Sequence, residues 1–263
     1  MRFLMLSLLM LSISCSEAKT LLVGLEEANN LPFEYVDNAG HLTGFHVELV
    51  KSVASRLEWE VEFRRMSWPL VIKMLESGEL DAATYVARSP ERETFALFLP
   101  DNILHVSHST IFIKAERVNE IHYEPPLEDF VSRWRVAIPA GYYMNDKTSE
   151  LLQKGMPLEE RTVTLAQLFV MLLGGRYDAI FGGTNALKRN RIGIPDIEEK
   201  VIPLEGAIFP SKQMYIAFSL RVKSPLAEEF AREYREYRQL PEYRELAEKF
   251  EMLEWLPTES EFQ

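Results

Sequence analysis

Apolar runs of strand length alternate with amphipathic segments in the first third of the chain. The predicted strands cover residues 20–24, 61–63 and 80–86. Between them, residues 46–57 place their apolar side chains on one helical face. Pro69 favours the first turn of a further helix, which Gly78 should end. Strands that alternate with helices predict α/β layers around a largely parallel sheet.

The same order of elements returns in the second half of the chain. Strands are predicted at residues 135–138 and 177–181, and helices at residues 145–154 and 165–173. Residues 74–82 align with residues 171–179, because each segment passes from a helix end through glycine into a strand that begins Asp-Ala. This likeness favours two α/β lobes built alike, although helix–glycine–strand units are common in any α/β protein. Residues 225–250 predict two amphipathic helices separated by Pro241.

The amino terminus has the pattern of a secretory signal peptide. Met1 and Arg2 precede an apolar run that is too short to span a bilayer, and small residues stand around Ala18. We therefore predict that residues 1–18 are removed and that the protein works in the periplasm. Two alternatives remain: a lipid anchor on Cys15, and a buried amino-terminal helix.

Charge and cysteine content exclude several classes of protein. The chain has 29 Lys and Arg against 40 Asp and Glu, a net charge of −11, so it lacks the basic surface of a nucleic-acid binder. Its single cysteine, Cys15, belongs to the predicted signal peptide. The mature chain therefore has no disulfide, no thiolate nucleophile and no cysteine-ligated metal.

No pattern of catalytic or cofactor-binding residues stands out. The sequence has no glycine-rich phosphate or dinucleotide loop and no Gly-x-Ser-x-Gly elbow. The five histidines, His41, His46, His105, His108 and His122, are scattered along the chain. His105 and His108 should lie on opposite faces of a strand, which argues against a metal site. We expect no metal, no cofactor and no enzyme activity.

An ordered set of short motifs covers nearly the whole mature chain. They are LPFEYVDNAGHLTGFHVEL at residues 31–49, LESGELDAA at 75–83, SPER at 89–92, VAIPAG at 136–141, YDAIF at 177–181 and MYIAF at 214–218. In this order the motifs resemble those of the polar amino-acid family of periplasmic solute-binding proteins. Each motif alone is weak, and the order gives the resemblance its weight.

The resemblance implies a type II periplasmic-binding fold, a clamshell of two α/β lobes joined by two crossover strands. The first lobe would be discontinuous, with residues 19–114 and 212–263, and the second would hold residues 115–211. A small polar solute, amino-acid-like or a carboxylate, would bind in the cleft while the lobes close by a hinge motion. The closed form, expected to be a monomer, would then dock on an ABC-type permease.

The resemblance also implies ligand-binding residues. Arg92 would bind a ligand carboxylate through paired charge-assisted hydrogen bonds, although a surface arginine at a helix start is the alternative. Trp68 would form a wall of the pocket, or else pack in the core. Gly141 would begin a loop whose backbone N–H groups bind an anion at a helix start. The other implied pocket positions are Asn30, Phe33, Thr84 and Tyr85.

The chain departs from the family pattern at three places. Tyr142 and Tyr143 stand where small hydroxyl residues are usual, and Gly183 and Thr184 where an aspartate usually binds the ligand ammonium. Arg88 adds a second cation before the SPER motif. We therefore expect a carboxylate or other organic anion with an apolar or aromatic part, rather than a standard α-amino acid. The alternative is that the two tyrosines fill the cleft.

Two further functions stay open. The first is a sensor module that presents its closed form to a membrane receptor. The second is an enzyme on the same scaffold, similar to cyclohexadienyl dehydratases. An enzyme of that kind needs a carboxylic acid in the cleft, and Glu27 is the only candidate we can name from the sequence.

Overall fold

The structure, a computed structural model, describes residues 19–184, 186–190, 193–222 and 225–262. The predicted signal peptide and Cys15 lie outside these residues. The strands are β1 (Thr20–Glu26), β2 (Tyr35–Val36), β3 (Leu42–Thr43), β4 (Glu60–Met66), β5 (Ala82–Ala87), β6 (Ala96–Leu97), β7 (Ile103–Lys114), β8 (Val136–Pro139), β9 (Leu158–Arg161), β10 (Ala179–Gly183) and β11 (Val201–Ser219). The α-helices are α1 (Phe45–Arg56), α2 (Trp68–Ser77), α3 (Leu127–Arg133), α4 (Asp146–Gln153), α5 (Leu165–Leu173), α6 (Ala186–Asn190), α7 (Ile197–Lys200), α8 (Leu226–Tyr237) and α9 (Pro241–Lys249).

A parallel sheet forms the core of the first lobe, which consists of β1, β4 and β5 with α1, α2, α8 and α9. β1 lies between β4 and β5 and is parallel to both. Leu21 and Leu25 of β1 are fully buried in a cluster with α1, α8 and α9, whereas Leu75 of α2 packs in a second cluster. The predicted helix start at Pro69 and end at Gly78 are confirmed, since Gly78 caps α2 with a φ of 82°.

The second lobe repeats this arrangement with β8, β9 and β10. β8 is parallel to its neighbours β9 and β10. α3 and α4 cover one face of this sheet, where Phe130 and Leu151 are buried. α5 covers the other face with Leu168 and Phe169. The predicted α/β repeat is confirmed, because α2 leads into β5 as α5 leads into β10.

Two long strands, β7 and β11, cross between the lobes. They pair antiparallel with each other from Lys114 and Val201 at one end to Ile103 and Tyr215 at the other. β11 also pairs with β5, and β7 also pairs with β10, so one continuous sheet runs through both lobes. The predicted two-lobed fold with two crossover strands is confirmed. The exact lobe bounds stay a prediction.

The carboxyl-terminal helices return to the first lobe. Their separation at Pro241 is confirmed, since α9 begins there. Tyr234 of α8 is fully buried, and its hydroxyl donates to the carbonyl of Ile103 at 3.3 Å. Glu229 forms an ion pair with Lys19 at 2.9 Å. These contacts attach α8 to the start of β7 and to the residue just before β1.

An ion-pair cluster around the buried carboxylate of Asp178 lies just before β10. Asp178 accepts the backbone N–H and the Nε–H of Arg135, each at 3.0 Å, and also a hydrogen bond from Arg117. Burial alone would raise the pKa of Asp178, but the hydrogen bonds from Arg135 and Arg117 outweigh it and hold the pKa well below its ordinary value. The folded protein therefore binds this proton less tightly than the unfolded chain does.

We expect D178N to lower the free energy of unfolding at pH 7 by about 2 kcal/mol. A depressed carboxyl pKa contributes stability above about pH 4, and that contribution is lost as the pH falls through the folded pKa. The difference between wild type and D178N should thus shrink between pH 7 and pH 3 in urea denaturation. E62Q, which changes an exposed carboxylate, should show little effect. An equal loss at both pH values would contradict the prediction.

Candidate functional site

Arg92 lies buried between the lobes, just after β5. A short 3₁₀ turn begins at Arg92, whose backbone N–H donates to the Ser89 hydroxyl at 3.3 Å. Its guanidinium donates from Nη1 to the carbonyl of Ala87 at 2.8 Å and from Nη2 to the carbonyl of Gly141 at 2.6 Å. It also lies 5.9 Å from the ring centroid of Trp68. Arg92 therefore touches both lobes.

The guanidinium is a buried charge whose hydrogen-bond partners are neutral. Arg92 is 6% exposed, and this burial lowers its pKa to about 10, so it stays protonated at neutral pH. Among the described residues, no carboxylate lies within the 4.0 Å of an ion pair. The hydrogen bonds to Ala87 and Gly141 use two of the five N–H donors that a guanidinium offers. Such a group is suited to bind an anionic oxygen.

A loop of the second lobe approaches Arg92 through Gly141. This glycine has a φ of 74°, in the left-handed region that favours glycine. Its carbonyl accepts from Arg92 and from Trp68 Nε1, the latter at 3.0 Å, while its N–H donates to Glu160 Oε1 at 3.3 Å. The expected set of N–H donors at a helix start is not formed at Gly141. The loop presents a carbonyl to Arg92, and the next helix begins only at Asp146.

Tyr142 crosses from the second lobe to a buried carboxylate of the first. Its hydroxyl donates to Glu26 Oε2, and its ring centroid lies 5.7 Å from that of Trp68. Glu26 is 5% exposed and also accepts from Asn30 Nδ2 at 2.8 Å. Glu27, the acid named from the sequence, is exposed. The buried cleft carboxylate is therefore Glu26, which sequence reasoning missed.

A signal for Glu26 is present in the sequence. It is the last residue of β1, a central strand of the first lobe. In open α/β sheets, ligands bind beyond the carboxyl ends of the strands. A carboxylate at that end of a central strand is therefore the better candidate than its exposed neighbour.

Tyr142 borders two cavities between the lobes. The larger, of about 540 Å³, lies beside Arg92 and Gly141. The smaller, of about 230 Å³, lies beside Glu26 and Trp68, where α2 and α5 begin. Protein sites for small ligands measure roughly 300–1,000 Å³, so the larger cavity has room for a small solute. Four carboxylates also line it: Glu91, Asp146, Glu150 and Glu160.

Tyr143 lies at the edge of the larger cavity and packs against the core cluster of the first lobe. Its hydroxyl donates to Asp146, and burial, followed by this hydrogen bond, raises the pKa of Tyr143 well above its ordinary value. Its carbonyl accepts from Lys212 Nζ at 3.1 Å. Arg88 borders Tyr143 in a separate cavity of about 240 Å³, where it forms an exposed ion pair with Glu93. Arg88 is thus not brought beside Arg92.

Three predicted pocket residues lie in the core beneath the cleft. Phe33 is fully buried and stacks on His105 at a centroid distance of 4.2 Å. Tyr85 packs edge-on against Phe33 at 5.2 Å. Thr84 is also fully buried, and its hydroxyl donates to Glu34 Oε2 at 2.6 Å. None of the three lines the two cavities, so their assignment as walls of the pocket stays a prediction.

The other predicted positions divide between the site and its surroundings. Trp68 and Gly141 contact each other across the cleft, and Asn30 donates a side-chain hydrogen bond to Glu26. Gly183 ends β10, and the exposed Thr184 donates its backbone N–H to the carbonyl of His108 at 2.9 Å. Neither Gly183 nor Thr184 lines the cavities beside Tyr142.

Two histidines that looked scattered in the sequence meet in the core. His46 Nε2 lies 2.9 Å from His105 Nδ1, and His46 Nδ1 lies 3.7 Å from Glu34 Oε2. His46 stands among the apolar residues of α1, and this position was the signal in the sequence that its side chain would be buried. The opposite orientation of His105 and His108 is confirmed, since His105 is buried and His108 is exposed. Within the described ranges, no group of three or more potential ligands is placed to hold a metal ion.

None of the helices in the described part of the chain combines the length and apolar character that a bilayer crossing needs.

Two α/β lobes, two crossover strands and a buried interlobe arginine define a protein of the two-lobed periplasmic-binding type. Residues 21–250 match the bacterial extracellular solute-binding proteins, family 3. The chain belongs to this family.

The sequences of two named relatives match parts of this chain. It is 40% identical over 77 residues to a probable amino-acid ABC transporter-binding protein of Haemophilus influenzae, a match that covers 29% of this chain and 30% of the relative. It is 27% identical over 129 residues to a probable ABC transporter arginine-binding protein of Chlamydia trachomatis, covering 49% of this chain and 47% of the relative. The chain thus spans less than half the length of either relative.

A solved structure shares the fold over nearly the whole chain. It is a histidine kinase sensor domain with similarity to periplasmic binding proteins. The TM-score is 0.74 at 21% identity, and the match covers 92% of this chain and 99% of the sensor domain. At this identity, the likeness shows a common fold.

Proposed function

We propose that this protein is a periplasmic solute-binding protein that captures a small solute with a carboxylate between its lobes for an ABC-type importer. The observation that carries the proposal is Arg92, a protonated and nearly inaccessible guanidinium beside a cavity of about 540 Å³. A ligand carboxylate would form the paired charge-assisted hydrogen bonds for which this group is suited. Family membership and the names of the two relatives support the proposal.

The usual aspartate for a ligand ammonium is absent from its expected place. Gly183, the last residue of β10, and Thr184 stand there, and the sequence alone therefore favours an anion with an apolar or aromatic part. In the structure, however, Tyr142 brings its own aromatic ring into the cleft. The carboxylates that line the larger cavity also favour a ligand that carries both charges over a purely anionic one.

The remaining parts of the proposal concern location and partner. The signal-peptide pattern of residues 1–18 supports export to the periplasm. Closure on a solute would change the joint surface of the two lobes, and a permease would recognise that change. Members of the family are solute-binding proteins. The dehydratase-like alternative loses support, because Glu27, its proposed acid, is exposed.

A thermal-shift screen of residues 19–263 tests the proposal. The panel contains the standard amino acids, their N-acetyl derivatives, and simple aliphatic and aromatic carboxylates. We expect one chemical class to raise the melting temperature, since a ligand at 100 times its Kd stabilises the folded protein by about 2.7 kcal/mol. Calorimetry would then give the affinity. If no carboxylate in the panel binds, the proposed function is wrong.

A further inference from the structure

The segment that follows α9 lies across both crossover strands. Its first 3₁₀ turn, Leu253–Trp255, lies against β7. Its second 3₁₀ turn, Glu259–Phe262, reaches β11, where Gln213 Nε2 donates to the carbonyl of Glu261 at 3.3 Å. We call residues 253–262 the strap. It meets both of the strands that join the lobes.

The strap is attached to the first lobe near both of its ends. Just before it, Met252 is fully buried in the core of that lobe. At the other end, the Phe262 ring centroid lies 3.6 Å from the guanidinium carbon of Arg238, which follows α8. Arg238 also forms an ion pair with Asp101 at 2.6 Å, and its side chain is only 7% exposed. A cation over an aromatic ring is most stabilising where water is excluded, so this end is fixed as well.

The strap contacts β11 beside an irregularity of that strand. The pairing of β11 with β7 shifts register between Phe209 and Lys212. Such a bulge bends a strand and interrupts its ladder of hydrogen bonds. Gln213, which donates to the strap, is the next residue, and at Met214 β11 begins to pair with β5 of the first lobe. The contact therefore lies at the point where β11 enters the first lobe.

Neighbouring side chains connect this contact to the second-lobe loop at the cleft. Tyr215 donates its hydroxyl to Gln213 Oε1 at 2.6 Å, which orients the amide that donates to the strap. Lys212 Nζ donates to the carbonyl of Tyr143, in that loop, at 3.1 Å. Tyr143 and Glu261 border the same cavity of about 240 Å³. The strap, β11 and the second-lobe loop thus belong to one connected set of contacts.

We propose that the strap restrains the hinge between the lobes, so that the lobes separate more readily when its contacts are lost. Hinge motion is absorbed by a few residues of the connecting strands, and a bulge is a place where a strand can bend. The lobes already touch, since the Gly141 carbonyl accepts from Arg92 at 2.6 Å. Freedom gained at the hinge therefore permits opening rather than further closure. This role concerns the motion of the lobes and goes beyond the proposed function.

Fluorescence transfer between the lobes tests this restraint. The chain after residue 18 has no cysteine, so a donor–acceptor dye pair can be attached to K73C of α2 and V170C of α5. Both positions are exposed, and α2 and α5 belong to different lobes. Single-molecule measurements on the protein alone then give the populations with high and low transfer, which correspond to near and separated lobes.

Two variants remove separate contacts of the strap. F262L removes the aromatic ring that lies over Arg238. Q213A removes the donor to the Glu261 carbonyl. We expect each variant to raise the low-transfer population about twofold or more. L253A, which truncates an exposed leucine of the same strap, is the matched control and should show wild-type transfer.

Urea denaturation of the same variants separates a restraint on the hinge from a contribution to folding. If F262L and Q213A lower the free energy of unfolding but keep wild-type transfer, the strap supports the fold only and the inference is wrong. Opening in L253A equal to that in the other two variants would also overturn it. Because no ligand enters these measurements, their failure leaves the proposed function untouched.

Discussion

Replacement of Arg92 by methionine is expected to weaken the binding of every carboxylate ligand by about 100-fold or more. Two charge-assisted hydrogen bonds, each worth about 1.5–3 kcal/mol, would be lost with the guanidinium. Among the described residues that line the larger cavity, Arg92 is the one with a basic side chain, so none of the others takes over this role. The measurement is calorimetric titration with the ligand that the screen finds.

R92M should not unfold the protein. Burial lowers the pKa of Arg92 to about 10, which means that the folded state disfavours the charged form. The charge therefore costs stability at every pH below about 10, and that cost ends when an apolar side chain replaces it. Methionine can pack beside Trp68 in the same space. We expect the free energy of unfolding to stay equal or to rise.

The control for R92M is R64M, which removes an exposed arginine of β4 that pairs with Glu62. This variant should bind ligand as wild type does. Carboxylate binding that survives in R92M, with the fold intact, would contradict the assignment of Arg92. A variant that loses both binding and stability would contradict the claim that the charge serves ligand binding rather than folding.

Replacement of Phe33 by alanine is expected to cost about 3–5 kcal/mol of unfolding free energy. The ring is fully buried and stacks on His105 at 4.2 Å, with Tyr85 edge-on at 5.2 Å. Alanine would leave a cavity in the core beneath the cleft. Urea denaturation at pH 7 measures the loss, and L70A, which truncates an exposed leucine of α2, should change stability little.

The leucine variant of Phe33 distinguishes a role in core packing from a role in ligand binding. F33L fills most of the space, so it should keep the fold at a smaller cost and leave ligand affinity within about twofold of wild type. A loss of binding in F33L without a loss of stability would show that Phe33 is a wall of the pocket. The position thus tests whether the residues beneath the cleft support it or line it.

Parts of the candidate site could be predicted from short motifs. The SPER motif indicated Arg92, and the structure places this residue between the lobes. The double tyrosine indicated an altered cleft, and Tyr142 lies in it. Both inferences depend on residues that stand next to each other in the chain. Glu26 was not singled out, and Thr84 and Phe33 do not line the two cavities, because the surroundings of all three residues come from segments distant in sequence.

Glu26 shows why a motif was not enough. Its partner Tyr142 is 116 residues away, and nothing local in either segment indicates the pairing. His46 and His105, 59 residues apart, are a second example. Buried polar groups must find partners, but the sequence does not say which partners. Gly141 adds a third case, since only the backbone conformation decides whether its carbonyl or its N–H faces Arg92.

The sequence by itself determined the alternation of strands and helices, the repeat of an α/β unit, and helix ends such as Pro69 and Gly78. These features follow from side-chain periodicity and local backbone preferences, which act over a few residues. Only the tertiary structure decided that Glu26 is buried at the cleft while its neighbour Glu27 is exposed, and that Tyr142 and Gly141 contact the polar groups of the opposite lobe. The physical reason is that burial and hydrogen bonding between lobes depend on packing across more than a hundred residues, where local preferences carry no information.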